Sequence, residues 1–210
     1  MKYSKPKAGS LHAEKIVIKP MAKDVWNNPT TKLHLFCHTI CTPYGKMMAA
    51  VTGKAVCFMG LEMDNSSFMK EIHTIYPYAE VRFQKIKLHQ KVQQFFTKNW
   101  EGIPRLTIYI PCTSFQWKVW NALLQIPTGC VCTYRNIAEK IGNKGAARAT
   151  GNAISKNPIL YLIPCHRVIL SSGKIGGFHW GIGTKLKFLN AEAQHDRHIK
   201  GFAHWEPTFF

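Results

Sequence analysis

The chain has 210 residues, enough for one sizeable domain or two small ones, and 46% of them are hydrophobic, which excludes wholesale disorder. Lys and Arg outnumber Asp and Glu by 28 to 11, a formal charge of +17 that self-repels in a compact body and favours polyanionic partners such as nucleic acid or an anionic membrane. Seven cysteines without regular spacing argue against a disulfide framework, and no apolar run approaches the ~18 residues of a membrane-spanning helix.

Residues 1–32 are polar and rich in lysine, and composition predicts a loosely ordered basic arm there. The opening MKYSKPKAGSLHAEKIVIKP holds no apolar run long enough for a secretion signal. The expected setting is therefore the cytoplasm (or the nucleus of a eukaryotic cell), where thiols stay reduced. From Leu33 the character changes. In KMMAAVTGKAVCFMGL, residues 46–61, two apolar runs flank Thr52-Gly53-Lys54, which predicts a β-hairpin. His34, Cys37, His38 and Cys41 invite a zinc reading, but their spacing is not that of a finger. A strand over residues 36–40 would also turn alternate residues apart, so no metal is expected. Parts of residues 66–99 read as helix, with Val92, Phe95 and Phe96 on one face, and Leu106–Ile110 reads as a strand ended by Pro111. Residues 33–111 thus make a small α/β or α+β domain.

Residues 112–210 read as a second, mainly helical domain. Thr113 and Gln116 fit a capping box ahead of a stripe of Phe115, Val119, Trp120, Leu123 and Leu124. Thr133 can cap a short helix from Tyr134 to about Ile141, and a second helix follows from about Gly145 to Ser155 after the turn Gly142-Asn143-Lys144. Two short helices joined this way make a helix-turn-helix candidate. A strand then leads to Cys165, a glycine-rich loop follows, and Thr184 is placed to cap a last helix carrying Leu186, Leu189 and Ala193.

Within YLIPCHRVIL, residues 161–170, Cys165 adjoins His166. A buried free cysteine is commonly an inert small hydrophobe. Here, though, a His-Arg pair interrupts an apolar strand, where unpaired polar groups are costly, and Pro164 cannot donate to a ladder. Those features favour an open, reactive thiol. Adjacent strand residues face apart, so a water between Cys165 and His166 is expected rather than a direct bond. A histidine base needs an orienting group, and Glu192, offset from Leu189 towards the inner side of the last helix, is the best placed. Cys130 and Cys132, either side of Val131, read as packing residues.

The stretches SFQWKVWNALLQIPTG, TYRNIAEKIGNKGAARATGNAISKNP and IPCHRVILSSGKIGG resemble the O6-alkylguanine-DNA alkyltransferases, the methylated-DNA–protein-cysteine methyltransferases. A weaker likeness, TPYGKMMAAVTGKAVCFMGLEM, is similar to the start of that family's ribonuclease-H-like amino-terminal domain. The resemblance implies stoichiometric transfer of an alkyl group from O6-alkylguanine, and from O4-alkylthymine, to Cys165 after the base is flipped out of duplex DNA. It makes His166 the activating base, Glu192 its orienter, Tyr134 the donor to the ring nitrogen and Asn157 the support of the active-site turn. Arg148 would fill the vacated stack, with Ala147 and Gly151 allowing close approach and Arg135, Gln116 and Ser171 contacting DNA. Val168, Ile154, His179 and Trp180 would line the base pocket. Trp180 resembles the bulky wall of bacterial members and implies poor acceptance of large substituents such as benzyl. The implied protein is a monomer without cofactor. Two other readings stay open: a non-catalytic lesion-binding protein on the same scaffold, and a Cys-His hydrolase.

Overall fold

Short runs of β-branched and aliphatic residues build one sheet that carries the molecule. In the computed structural model, which describes residues 11–30, 32–97 and 102–195, a short helix α1 (Leu11–Lys15) runs directly into β1 (Ile16–Pro20), whose Ile16 and Ile18 enter the core. A single turn, α2 (Lys23–Trp26), precedes β2 (His34–Thr42), β3 (Gly45–Val51) and β4 (Val56–Leu61). Then come α3 (Asn65–Ile75), β5 (Glu80–Phe83), α4 (Lys87–Thr97) and β6 (Leu106–Ile110). The strands lie in the order β1-β6-β4-β3-β2-β5. The central pairs β4–β3 and β3–β2 are antiparallel, and the outer pairs are parallel, so the sheet is mixed.

The expected hairpin over residues 46–61 forms, with Thr52 Oγ1 accepting from the backbone of Lys54 and Ala55 to close its turn. Both faces of β3 are buried. Met47, Ala49 and Val51 join the core on the α4 side, and Met48 and Ala50 join a second cluster with Phe68 and Ile72 of α3. The predicted face of α4 is observed, with Val92 and Phe95 buried and Phe96 packed beside them.

The basic-arm expectation is corrected for its described part. Residues 1–10 lie outside the described residues, but Ile16–Pro20 pairs with Leu106–Ile110 as an edge strand and His12 is buried. Lysine density hid the reason: Ile16, Val17 and Ile18 are three consecutive β-branched residues, and a strand needs no more apolar sequence than that.

The remaining elements are α5 (Ser114–Leu124), β7 (Cys132–Thr133), α6 (Tyr134–Lys140), α7 (Ala147–Ser155), a 3-10 turn at Cys165–Arg167, β8 (Val168–Ile169) and α8 (Ile182–His195). The predicted capping box closes: Thr113 Oγ1 accepts from Gln116 N at 3.1 Å while Gln116 Oε1 accepts from Thr113 N at 2.9 Å, and the predicted Thr133 cap proves to be a second such box, with Asn136. Such a cap contributes about 1 kcal/mol. The link between α6 and α7 spans residues 141–146, longer than the expected three-residue turn, and Gly142 takes φ +78° within it. Thr184 does not cap the last helix. That helix begins two residues earlier, at Ile182, and it buries Lys185, Phe188, Leu189 and Glu192 while Leu186 is exposed.

The strand expected to deliver Cys165 is also corrected. Residues 158–160 instead lie alongside β4, where β6 has diverged. Met59 N donates to Pro158 O at 3.0 Å and Leu160 N to Met59 O at 2.8 Å. The chain then turns, and the thiol sits on the 3-10 turn. One apolar core runs from Ile16, Val56 and Met59 through Leu123 and Ile154 to Cys165 and Phe188. Fully burying each such side chain contributes roughly 1.5–3 kcal/mol, so the sheet backs the segment that carries Cys165.

Candidate active site

Asn157, just past α7, organises the segment before the thiol. Its Oδ1 accepts from Ile159 N at 3.0 Å, and its amide donates to the carbonyls of Ile159 and Ile163 and to Cys165 Sγ, each at 3.1 Å. An amide has only two N–H bonds, so these acceptors share them. The same group therefore shapes the turn and touches the sulfur. Cys165 is 7% exposed, and burial pushes its thiol up, opposed by the Asn157 bond and the nearby Lys185 charge.

Behind the thiol lies a fully buried charge network. Glu192 accepts from His166 Nε2 at 2.8 Å and from Arg167 through Nε at 2.9 Å and Nη2 at 2.8 Å. Burial opposes ionisation of Glu192, but Arg167 and His166 together hold its carboxyl well below the usual carboxylate range. Arg167 is satisfied in turn by Ile126 O at 2.6 Å and Thr128 Oγ1 at 3.2 Å, and its Nη1 lies 3.5 Å from His12 Nδ1. A carboxylate can only accept, so His166 Nε2 carries the proton and Nδ1 of the neutral ring carries the lone pair. Nδ1 has no hydrogen-bond partner among the described residues. Burial lowers the His166 pKa, with Glu192 opposing that shift. The neutral ring thus keeps one free acceptor.

The thiol opens on a cleft of about 300 Å³, at the small end of ligand cavities. Tyr134, Gly151 and Ile154 form one side; Phe178, His179 and Trp180 of the loop before α8 form the other, with Asn157 and Cys165 at its base. Burial raises the Tyr134 pKa, with the Cys165 charge adding to it, so its phenol stays protonated and able to donate. Trp180 reaches across to the sheet. A Cβ placed on Gly60 of β4 would lie 2.3 Å from its ring, so only glycine seats that ring where it is. Phe58 meets the same indole edge-on at 6.3 Å.

Of the residues singled out from sequence, Cys165, His166, Glu192, Asn157 and Tyr134 come together. Ile154, His179 and Trp180 line the cleft, and so does Gly151, whose Cα side faces the Tyr134 ring. Val168 does not line it; it is fully buried in β8, and its carbonyl accepts from Lys185. Arg148, Arg135 and Ser171 are exposed, Ala147 is half-buried on α7, and Gln116 closes the α5 cap. Arg135 pairs with Glu139 at 3.6 Å. Among the described residues no group of three or more His, Cys, Asp or Glu is placed to hold a metal, and no helix is long and apolar enough to cross a membrane.

Three residues escaped the sequence reading, Lys185, Tyr161 and Phe178, and Arg167 entered it only as half of the His-Arg pair. Lys185 is 1% exposed, donates to Val168 O and Ile175 O at 2.6 Å each, and is brought down to about 8 by burial. It ties β8 to the glycine loop that carries the cleft wall. The i, i+4, i+7 spacing of Lys185, Leu189 and Glu192 was the available signal. The helix phase chosen from Leu186 obscured it.

A thiol on a pocket wall, a neutral histidine beside it and a buried carboxylate on that histidine make a candidate cysteine-nucleophile site on a mixed α/β fold. A family model described as the DNA-binding domain of 6-O-methylguanine DNA methyltransferase matches residues 114–194. The bifunctional transcriptional activator/DNA repair enzyme Ada of Escherichia coli K12 is 30% identical over 154 residues, 72% of this chain and 44% of that protein. The methylated-DNA–protein-cysteine methyltransferase of Lodderomyces elongisporus is 47% identical over 94 residues, 44% of this chain and 47% of that one. The crystal structure of Mycobacterium tuberculosis OGT in complex with DNA is similar with TM-score 0.61 and 31% identity, covering 77% of this chain and 94% of that one. The chain belongs to the O6-alkylguanine-DNA alkyltransferase (methylated-DNA–protein-cysteine methyltransferase) family. It spans about half the length of these curated relatives.

Proposed function

We propose that this protein repairs DNA directly, by moving the alkyl group of O6-alkylguanine, or of O4-alkylthymine, in duplex DNA onto Cys165, once per molecule. One observation carries the reading: a sulfur at the base of a small aromatic-walled cleft, with the Asn157 amide on it and the His166–Glu192 pair adjoining it. The Cys165 proton passes through a water to His166 Nδ1, because Nε2 is committed to Glu192. The sulfur electron pair forms the S–C bond as the C–O6 bond breaks, and that bond's electrons move to O6 and the ring. Tyr134 donates to the ring nitrogen where this charge gathers. A thiolate suits displacement at saturated carbon, and the product is a thioether that no thiol reverses.

The target atom lies inside a base pair, so the nucleotide must be extruded at a cost of a few kcal/mol. In this reading α6 and α7 are a helix-turn-helix whose second helix enters the minor groove. Arg148 fills the vacated stack, Ala147 and Gly151 let the helix approach, and Arg135, Gln116 and Ser171 meet the backbone. The excess of 28 basic over 11 acidic residues supplies phosphate neutralisation and a steep salt dependence. The sheet region, residues 33–111, is the ribonuclease-H-like domain and residues 112–210 the alkyltransferase domain; the protein works as a monomer, without cofactor, in the cytoplasm or nucleus.

The test is stoichiometric. Duplex DNA carrying labelled O6-methylguanine is mixed with the protein and the digest is read by mass spectrometry. One methyl group per molecule, on the peptide containing Cys165, is expected. Tight binding without transfer would sink the proposal in favour of a lesion-binding protein, and turnover of an ester substrate would favour a hydrolase.

A further inference from the structure

Among the described residues only one non-glycine has a positive φ: Tyr161, at +67°. A bulky residue holds that conformation only where its surroundings over-determine it, and such positions gather at functional sites. The surroundings here come from both halves of the chain. The Tyr161 hydroxyl is 2.8 Å from that of Tyr44, in the β2–β3 turn, and its ring packs against Tyr44 at 4.8 Å, Phe96 of α4 at 5.1 Å and Phe188 of α8 at 5.2 Å. Lys187 of α8 also donates to Tyr44 O at 2.9 Å.

What this box presents is a flat face. The Tyr161 ring lies parallel to the His166 imidazole, 5° between planes and 5.4 Å between centroids, while Phe188 meets the same imidazole at 5.2 Å and 63°. Glu192 fixes one nitrogen of His166 but leaves rotation about that bond, and the stack removes it. The stack also has an electrostatic sense. When the thiol proton reaches His166, an imidazolium forms beneath a π face, an attraction effective within about 6 Å of the ring centroid. The charges around His166 are Glu192, which favours its protonation, and Arg167 and Lys185, which oppose it; His12, on α1, also couples to it.

We propose that Tyr161, seated by Tyr44, is a positioning residue of the alkyl transfer: its ring fixes the plane of His166 and stabilises the protonated form that accompanies thiolate formation. This rests on the reading of His166 as the base for Cys165, and it deepens that reading by naming what holds the base.

The test separates ring from hydroxyl and needs no DNA. The rate at which iodoacetamide alkylates Cys165 is followed against pH by intact-protein mass spectrometry. In Tyr161→Leu the imidazolium loses its partner, thiolate formation becomes harder, and the midpoint moves up by about one pH unit, roughly tenfold slower near neutrality. Tyr161→Phe keeps the ring, so its midpoint stays at the native position while Tm falls for want of the hydroxyl pair. Should Tyr161→Leu fail to fold, pentafluorophenylalanine at 161 keeps the shape but inverts the ring's charge distribution, and the same upward move is expected. The proposal is overturned if neither ring-altering variant moves the midpoint, or if Tyr161→Phe moves it as far as Tyr161→Leu. Absence of methyl transfer from DNA in the native protein would remove the repair function while leaving these shifts readable.

Discussion

The sheet half and the half that carries Cys165 both contribute to the buried apolar core but treat charge in opposite ways. Among the described residues from α1 to β6 the fully buried side chains are apolar or aromatic, with only His12 and His89 as buried exceptions among the charge-bearing types, and both are pushed towards neutrality by desolvation. Between α5 and α8, by contrast, His166, Arg167, Lys185 and Glu192 are each at most 1% exposed. A buried ion network is weak as a source of stability, because desolvation offsets most of the attraction. Under the proposed function it lies where a proton has to be held, beside Cys165. The other half supplies a rigid backing, and the two meet where Met59 of β4 pairs with residues 158–160.

That contrast can be broken by experiment. The largest effect belongs to Cys165→Ser, which should abolish label transfer from O6-methylguanine DNA while moving Tm by only a few degrees, as followed by calorimetry. Glu192→Gln comes next and should damage both properties. It leaves Arg167 buried without its carboxylate, for which about 3–5 kcal/mol of destabilisation is expected in urea melts, and the transfer rate should fall on the order of a hundredfold as His166 loses its orienting anion. The pH dependence has a definite sign. The folded pKa of Glu192 lies below its unfolded value, so its stabilisation is complete above about pH 4.3 and drains away as pH falls below that. Glu192→Gln should show a shallower acid limb.

A cavity in the backing should do the reverse. Ile108→Ala, at a fully buried position of β6, is expected to cost about 2–5 kcal/mol in the same melts yet leave the transfer rate of folded protein within about twofold. If it slows transfer as much as Glu192→Gln does, the division of labour between the halves is wrong. Gly60→Ala tests the seam between them. The added methyl cannot coexist with the present Trp180 ring and lies 2.9 Å from the Phe58 ring, so methyl transfer should slow about tenfold, and Trp180→Gly added to it should restore part of the rate, an interaction typical of directly touching residues. Trp180→Ala alone should improve reaction with O6-benzylguanine. The smallest effect is Thr113→Ala, which removes one cap of α5 and should cost about 1 kcal/mol with no change in transfer.

Local signals in the chain sufficed for much of this. The hairpin over residues 46–61, the caps at Thr113 and Thr133, and the strand at Leu106–Ile110 were legible because turn chemistry, side-chain capping and alternation act over a few neighbouring residues. The gathering of Cys165, His166 and Glu192 was legible for a different reason: polar groups in apolar runs demand partners, and few acids were available to supply one. The same logic applied to Ile16–Pro20 failed, because its partner strand lies about ninety residues away and lysines around it dominated the composition.

Sequence alone thus determined most of the local elements and singled out Cys165 as the candidate sulfur. Tertiary structure decided the rest. Only the fold brings Tyr44 to Tyr161, Gly60 to Trp180 and Lys185 to the carbonyls of Val168 and Ile175. Those contacts join residues far apart in the chain, and their energies depend on burial and mutual geometry, which exist only once the sheet and the helices have packed together.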